Sequence, residues 1–478
     1  MNEQLWDGEI KNELESSPFT LPAFVRDKMD DVYSRLPDYP IRSSIRIRIV
    51  WVSVCALLLF VGIFASGFVS PAVAKVLRQL PVIGSAFQTV GDEGIQRASE
   101  KGLVSTVGQT VEDKGVAVTL DQVIYDGTRL SIGILHSSDI QISLPGAAGM
   151  IRIDGKELNA GMGGVSKEIA NGMTASVYKF TTEEQLPDRF MLDFHFHEVT
   201  RNKEGRSEKI AGSWWLSTPV VKLAEDVNVI PFDPPLIREH AGIRIAVTEV
   251  TSTPLTTKVA FELEVPDKYD YMTFNRGEVP KGELVTTHRL DYELVDSNGL
   301  SLEPLSGSGS QKPGEPEKRV VLFAPVTSDV KSLTLRTIES ADKMRSQGDG
   351  SFVGVSTPEI HYAPLPIDAP FTMKQGNAGE IEFRSIRFEK DQTWIEYEVR
   401  GTEPYIQDNA WWLENGKGDR YLFDRYDQTR ISEVSYAYRV KLPAIQPDES
   451  LKIAVVQIDS KERIEQLDIQ LPIVIQTQ

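Results

Sequence analysis

The side chains that could carry chemistry are few and scattered. In MLDFHFHEV, Asp193, His195 and His197 alternate with Phe194 and Phe196, so a strand would turn the polar set to one face and the rings to the other. Two histidines at that spacing can ligate a metal, with Asp193 or Glu198 assisting. The simpler expectation is that the phenylalanines enter a core and the polar set meets solvent, with no metal bound. The glycine-rich NAGMGG at 159–164 is followed by no Lys-Ser or Lys-Thr and lacks a strand-to-helix context, so it does not read as a phosphate loop. Trp214-Trp215 and Trp411-Trp412 could line a carbohydrate or peptide surface. Adjacent residues on a strand face opposite ways, so one of each pair is expected in the core. The six histidines fall in no catalytic pattern, and no nucleophile stands near a base. The one cysteine, Cys55, lies in the most apolar stretch, which leaves no disulfide, thiolate metal cluster or cysteine nucleophile elsewhere. No enzyme and no cofactor are expected.

What would position such groups follows from the bulk of the chain. Its 478 residues exceed one core, so two to four domains are expected. With 41% hydrophobic and 25% charged residues it is an ordinary folded protein. A formal charge of -18 argues against a nucleic-acid partner, which wants a basic face.

Between Arg48 and Lys75 there is no charged side chain, and Ile49 to Val69 reads IVWVSVCALLLFVGIFASGFV. About 20 apolar residues in a helix span a ~30 Å hydrocarbon core. Trp51 and Pro71 suit an interface and a helix stop. A signal peptide would carry its basic region near residue 1 and close on a small-residue cleavage site, and a buried globular helix rarely runs so long without a polar residue. The expectation is a transmembrane helix over 49–70. Arg35, Arg42, Arg46 and Arg48 precede it, against Lys75 and Arg78 after it, which places the N-terminus in the cytoplasm and the C-terminus outside.

Residues 1–48 are too few for a core. FTLPAFVRDKMDDVYSRLPDYP holds one credible helix, with Thr20 as cap, Pro22 in the first turn and Pro37 at the end. Leu21, Phe24, Val25, Met29, Val32 and Leu36 share one face, with Arg26, Asp27, Asp30 and Asp31 opposite. Such a stripe lies on the inner membrane surface or docks in a partner's groove; the remaining alternative is a disordered tail. The acidic polar face disfavours lipid, and the partner-binding helix is the preferred reading.

Beyond residue 112 the sequence alternates at period two, and one opening recurs: GVAVTLDQVIYDGTRLSIGI, then GIRIAVTEVTSTPLTTKVAFELEV, then GEIEFRSIRFEKDQTWIEYEV. Asp126-Gly127 is a hairpin turn in the first. The expected fold is mainly β: tandem immunoglobulin-like β-sandwich domains outside the membrane, one transmembrane helix and a short helical N-terminal tail. The domains are a cytoplasmic tail at 1–48, the span at 49–70, a juxtamembrane helical stalk at 71–112, and β domains at 113–225, 226–372 and 373–478. SLEPLSGSGSQKPGEPEK, 301–318, reads as a mobile loop inside the second β domain.

The stretch LPVIGSAFQTVGDEGIQRASEKGLVSTVGQTVEDKGVAVTLDQVIYDGTRLSIGI, followed by IDGKELNAGMGG, resembles a family of bacterial single-pass membrane proteins. These carry an N-terminal extracytoplasmic domain of unknown function, often followed by an immunoglobulin-like one. The likeness covers roughly residues 15–225, LPAFVRDKMDDVYSRLP included. Members are usually encoded beside extracytoplasmic-function sigma factors and are regarded as their anti-sigma partners. The resemblance therefore implies a membrane-anchored regulator whose cytoplasmic helix binds a sigma factor and whose exterior senses or scaffolds an unknown extracytoplasmic ligand. Residues 1–48 hold no His or Cys, so the zinc pattern of zinc-binding anti-sigma domains is absent and the apolar helix must do the binding. The competing expectations are a structural or adhesive envelope protein and an exported carbohydrate-binding accessory module. Membrane lipid is the other expected partner.

Overall fold

The computed structural model describes residues 85–472, apart from short internal stretches of which 144–150 and 270–278 are the longest. Lys75–Gln478 forms one compact unit. Within it the period-two runs become strands, because alternation lets each strand bury one face. Six sheets with antiparallel ladders pair into three two-sheet modules.

In the first module, sheet A runs edge to edge Ser105–Asp113, Val116–Tyr125, Arg129–Ser138, Met173–Thr181, Gly161–Ala170. Sheet B opposes it with Arg206–Val221, Arg189–Lys203, Ile151–Ile153 and Lys156–Glu157. Val118, Leu120, Ile132, Ile134, Phe194, Phe196, Trp214 and Leu216 fill the space between. In the second, sheet C runs Asn228–His240, Ile243–Ser252, Thr257–Glu264, Glu317–Phe323, Pro304–Ser310, and sheet D begins Leu284–Asp296, Ser332–Ser346, Phe352–Gly354. In the third, sheet F runs Phe371–Lys374, Gly379–Phe388, Gln392–Gly401, Tyr436–Pro443, Gln428–Arg430. Sheet E faces it with Ile360–Pro364, Lys452–Val456, Trp411–Glu414 and Arg420–Tyr421.

All three modules follow one plan. Three consecutive strands lie side by side; the next crosses to the facing sheet; two return, the later one beside the third strand; another then crosses. In the first module the strand that completes the facing sheet, Arg206–Val221, simply follows its neighbour in sequence. In the other two the equivalent strand comes from elsewhere. Ile360–Pro364, which follows the second module in sequence, pairs with Lys452–Val456 of the third. Ile469–Pro472, after the third, returns to pair with Ser332–Ser346 of the second. Leu467, Ile469 and Leu471 are buried in the second core as a result. The second and third modules thus exchange their last strands.

Two short helices, α1 (Ala86–Val90) and α2 (Glu93–Glu100), lie on the outer face of sheet A. Ser85 caps the first and Asp92 the second, each side chain accepting a backbone N–H. Phe87, Val90, Ile95 and Ala98 bury themselves against Ile124, Ala175, Val177 and Leu255. Gly94 is required there, since a Cβ would stand 2.2 Å from the Leu255 carbonyl oxygen.

Two expectations change. No helix among the described residues is long and apolar enough to cross a membrane. The longest, α2, has eight residues, about 12 Å against a ~30 Å hydrocarbon core. The fold class with one transmembrane helix is therefore corrected to a mainly β fold; the stretch 49–70 and the N-terminal tail lie outside the described residues. The helices after residue 85 cover sheet A, and from Ser105 the chain is strand. The segment 301–318 is no loop: Pro304–Ser310 is an edge strand paired with Glu317–Phe323. It packs beside the first module, where Gly161 has the Gly307 carbonyl oxygen 3.3 Å from where its Cβ would be, so small residues on both edges permit the approach.

Candidate functional site

Two regions of the first module hold polar chemistry, one buried and one bare. The buried one joins the modules. Arg129, fully covered, places its guanidinium 2.7 and 2.8 Å from the two Asp92 oxygens, and Lys179 Nζ stands 2.9 Å from the same carboxylate. Burial alone would push the Asp92 carboxyl up, but Arg129 and Lys179 overcome it and hold it well below the usual carboxylate range. Beside them Asp126, fully buried, accepts from the Thr128 N–H and hydroxyl, the Arg129 N–H, and the Thr253 hydroxyl at 2.6 Å. The Thr256 hydroxyl adds a longer contact at 3.3 Å. Asp126 thus closes the Asp126-Gly127 turn and ties the first module to the second. Lys167 reaches Asp427 of the third module at 2.7 Å, and Tyr405 and Tyr436 hydroxyls grip the Ser301 backbone between the second and third. Two clefts of about 320 and 330 Å³ open at this meeting point, both lined by Glu93, Arg97, Glu303, Tyr405 and Arg430. Their walls carry charges of both signs.

The bare region is the outer face of sheet B. Phe194, Phe196 and Trp214 point inward, Phe196 stacking on Trp214 with centroids 5.0 Å apart. Trp215 therefore points out and is 54% exposed. Its indole stacks on His195 at 4.9 Å, and the His197 ring meets His195 edge-on at 4.0 Å. Burial in the stack, then the neighbouring His197 and Arg152, lower the His195 pKa. Asp193 accepts the Ser217 hydroxyl at 2.7 Å. The free edge of this sheet is occupied: Gln109 and Asp113, from the first strand of sheet A, accept the Ser217 and Ser213 backbone N–H groups.

The second tryptophan pair behaves differently. Trp411 is in the third core, but Trp412 is also buried, at 7% exposed. The Arg420 guanidinium lies 4.5 Å above its ring and its N–H donates to Glu414. One of each pair was expected in the core; at Trp411-Trp412 both are covered, because long charged side chains roof the outward ring. Among the described residues no three His, Cys, Asp or Glu side chains group as a metal site. The glycine-rich 161–164 is strand, at the edge of sheet A. The partner-binding set Leu21, Phe24, Val25, Met29, Val32 and Leu36 lies outside the described residues.

Sequence reasoning missed Arg129, Asp92 and Asp126 as a unit. The only local signal was a charged residue following a hairpin turn, which ordinarily faces solvent.

Comparison with known proteins adds family labels. Residues 44–138 match the family described as Domain of unknown function (DUF4179), and residues 237–369 match Family of unknown function (DUF5643). No curated protein matches the chain. Among solved structures it is similar to the crystal structure of the conserved domain protein from Bacillus anthracis, at 16% identity over 59% of this chain and 90% of that one, TM-score 0.42. It is also similar to bovine butyrophilin, at 12% identity over 50% and 95%, and to FdeC, an Escherichia coli adhesin, at 11% over 75% and 98%, each with a TM-score of 0.12. At these TM-scores the likenesses carry no argument.

Proposed function

We propose that the chain is an anti-sigma factor of the bacterial cell envelope. Its first 48 residues hold a cytoplasmic sigma factor, and its β body senses or scaffolds outside the membrane. The observation that carries this reading is the apolar stripe Leu21, Phe24, Val25, Met29, Val32 and Leu36 with acids opposite, which needs a groove to cover it. The resemblance over residues 15–225 supports it. We place the protein at the cell membrane, residues 1–48 inside and the body outside. Immunoglobulin-like modules belong to the same reading. With the first strand of each five-stranded sheet set aside, the order 1-2-5-4 faces 7-6-3, the arrangement of a constant-type domain. The test is copurification of the tagged full chain with the sigma factor encoded beside it. Wild type should retain the sigma factor, and Phe24→Asp or Met29→Asp should lose it. A wild-type chain that retains none would remove the proposal. The second reading, an adhesive or structural envelope protein, draws on the exposed face of sheet B around Trp215.

A further inference from the structure

The outward positions of Arg206–Val221 from Ser213 on are Ser213, Trp215, Ser217, Pro219 and Val221, each exposed or half-buried and none charged. At about 3.4 Å per residue they make a lane roughly 27 Å long. The neighbouring strand sets Arg189, Met191, Asp193 and His195 directly opposite Val221, Pro219, Ser217 and Trp215. Asp193 is the one carboxylate in that set, and it already accepts the Ser217 hydroxyl. In a chain of net charge -18, the five lane positions themselves carry no charge, and the one carboxylate facing them is balanced by Arg189.

The geometry points to a neutral, extended polysaccharide as the occupant of this lane, its pyranose faces stacking on Trp215 and its hydroxyls meeting Ser213, Ser217 and Asp193. Three features select that chemistry. The indole is held in place by the His195 stack on one face, so little side-chain entropy is lost when a ring packs on the other. An extended peptide would bind by adding a strand, but the edge N–H groups of Ser213 and Ser217 are already taken by Asp113 and Gln109. An anionic lipid surface would want a cluster of lysines and arginines, whereas here Arg189 stands alone opposite Val221 at one end of the lane and Arg152, on the strand beyond, is paired with Glu157. Hydroxyl-rich rings with apolar faces satisfy both halves of the surface, the exposed indole and the small polar groups beside it. The inference does not need the sigma-factor proposal, only that the β body meets a ligand through this face.

The experiment titrates the purified full chain with chitohexaose and, separately, cellohexaose, and reads heats by calorimetry, with self-association followed by sedimentation. At least one oligosaccharide should bind in the millimolar range or tighter, Trp215→Ala should weaken it about tenfold or more, and Trp215→Phe should lose less. Trp215 is exposed, so both variants should fold as wild type does. The inference is overturned if neither sugar binds wild type at millimolar concentration, if Trp215→Ala binds as well, or if Trp215→Ala converts a dimer to a monomer, which would make a second copy the occupant. None of these results would touch sigma-factor binding by residues 1–48.

Discussion

The first module and the joined second and third solve one problem in two ways. All three need a last strand to complete the facing sheet. The first takes Arg206–Val221, the strand next in sequence, and is complete by residue 221. The second and third take each other's: Ile360–Pro364 serves sheet E and Ile469–Pro472 serves sheet D. Local supply leaves a module whose outer sheet face carries the exposed Trp215. Exchange welds two modules into a unit that neither can complete alone. The helices α1 and α2, with Arg129 and Asp126, then fix the self-contained module to that unit.

The sharpest way to break this comparison is to cut the chain after Asp459. The truncated protein loses Leu467, Ile469 and Leu471 from the second core, each worth about 2 kcal/mol. Together they approach the about 5–15 kcal/mol that holds a domain. Limited proteolysis should then open residues 284–346 early while the first module, complete by residue 221, resists. Resistance of the second module in the truncated chain would show the exchange to be dispensable.

A smaller effect is expected where the self-contained module is fastened. Arg129→Met leaves Asp92 buried with Lys179 alone, at a cost of about 3–5 kcal/mol by denaturant unfolding. If the modules were independent, the loss would fall on the first alone; the shared contacts predict that it also loosens the second, through Thr253 and Leu255.

The smallest concerns the first core and pH. Burial pulls the His136 imidazole down to about 4. Between about pH 6.5 and pH 4 the unfolded chain takes up a proton that the folded one refuses, so stability falls as pH falls through that window, by at most about 3 kcal/mol, and is unaffected above it. Denaturant midpoints for the first module should track this, and His136→Leu should flatten the dependence. A wild-type midpoint unchanged across the window would place His136 in solvent.

How much of this could be read beforehand differs by feature. Val118, Leu120, Phe194 and Phe196 announced buried faces, because alternation at period two is a local consequence of a two-faced sheet. Trp214 and Trp215 likewise fell on opposite sides. The exchange was illegible: IHYAP and IQLP each suit a strand, but nothing in a strand's own sequence names the sheet it joins. Arg129 was illegible for a related reason, since its partners Asp92 and Leu255 lie 37 and 126 residues away. Trp412 misled because its cover, Arg420, is a residue type normally assigned to solvent.

The most direct test of the regulatory proposal is made in cells, with a reporter transcribed by the sigma factor encoded beside the chain. Deleting the chain should raise the reporter, and Phe24→Asp with Met29→Asp in an otherwise intact, normally abundant protein should raise it to the same level. A reporter that stays at the wild-type level in both strains would contradict it.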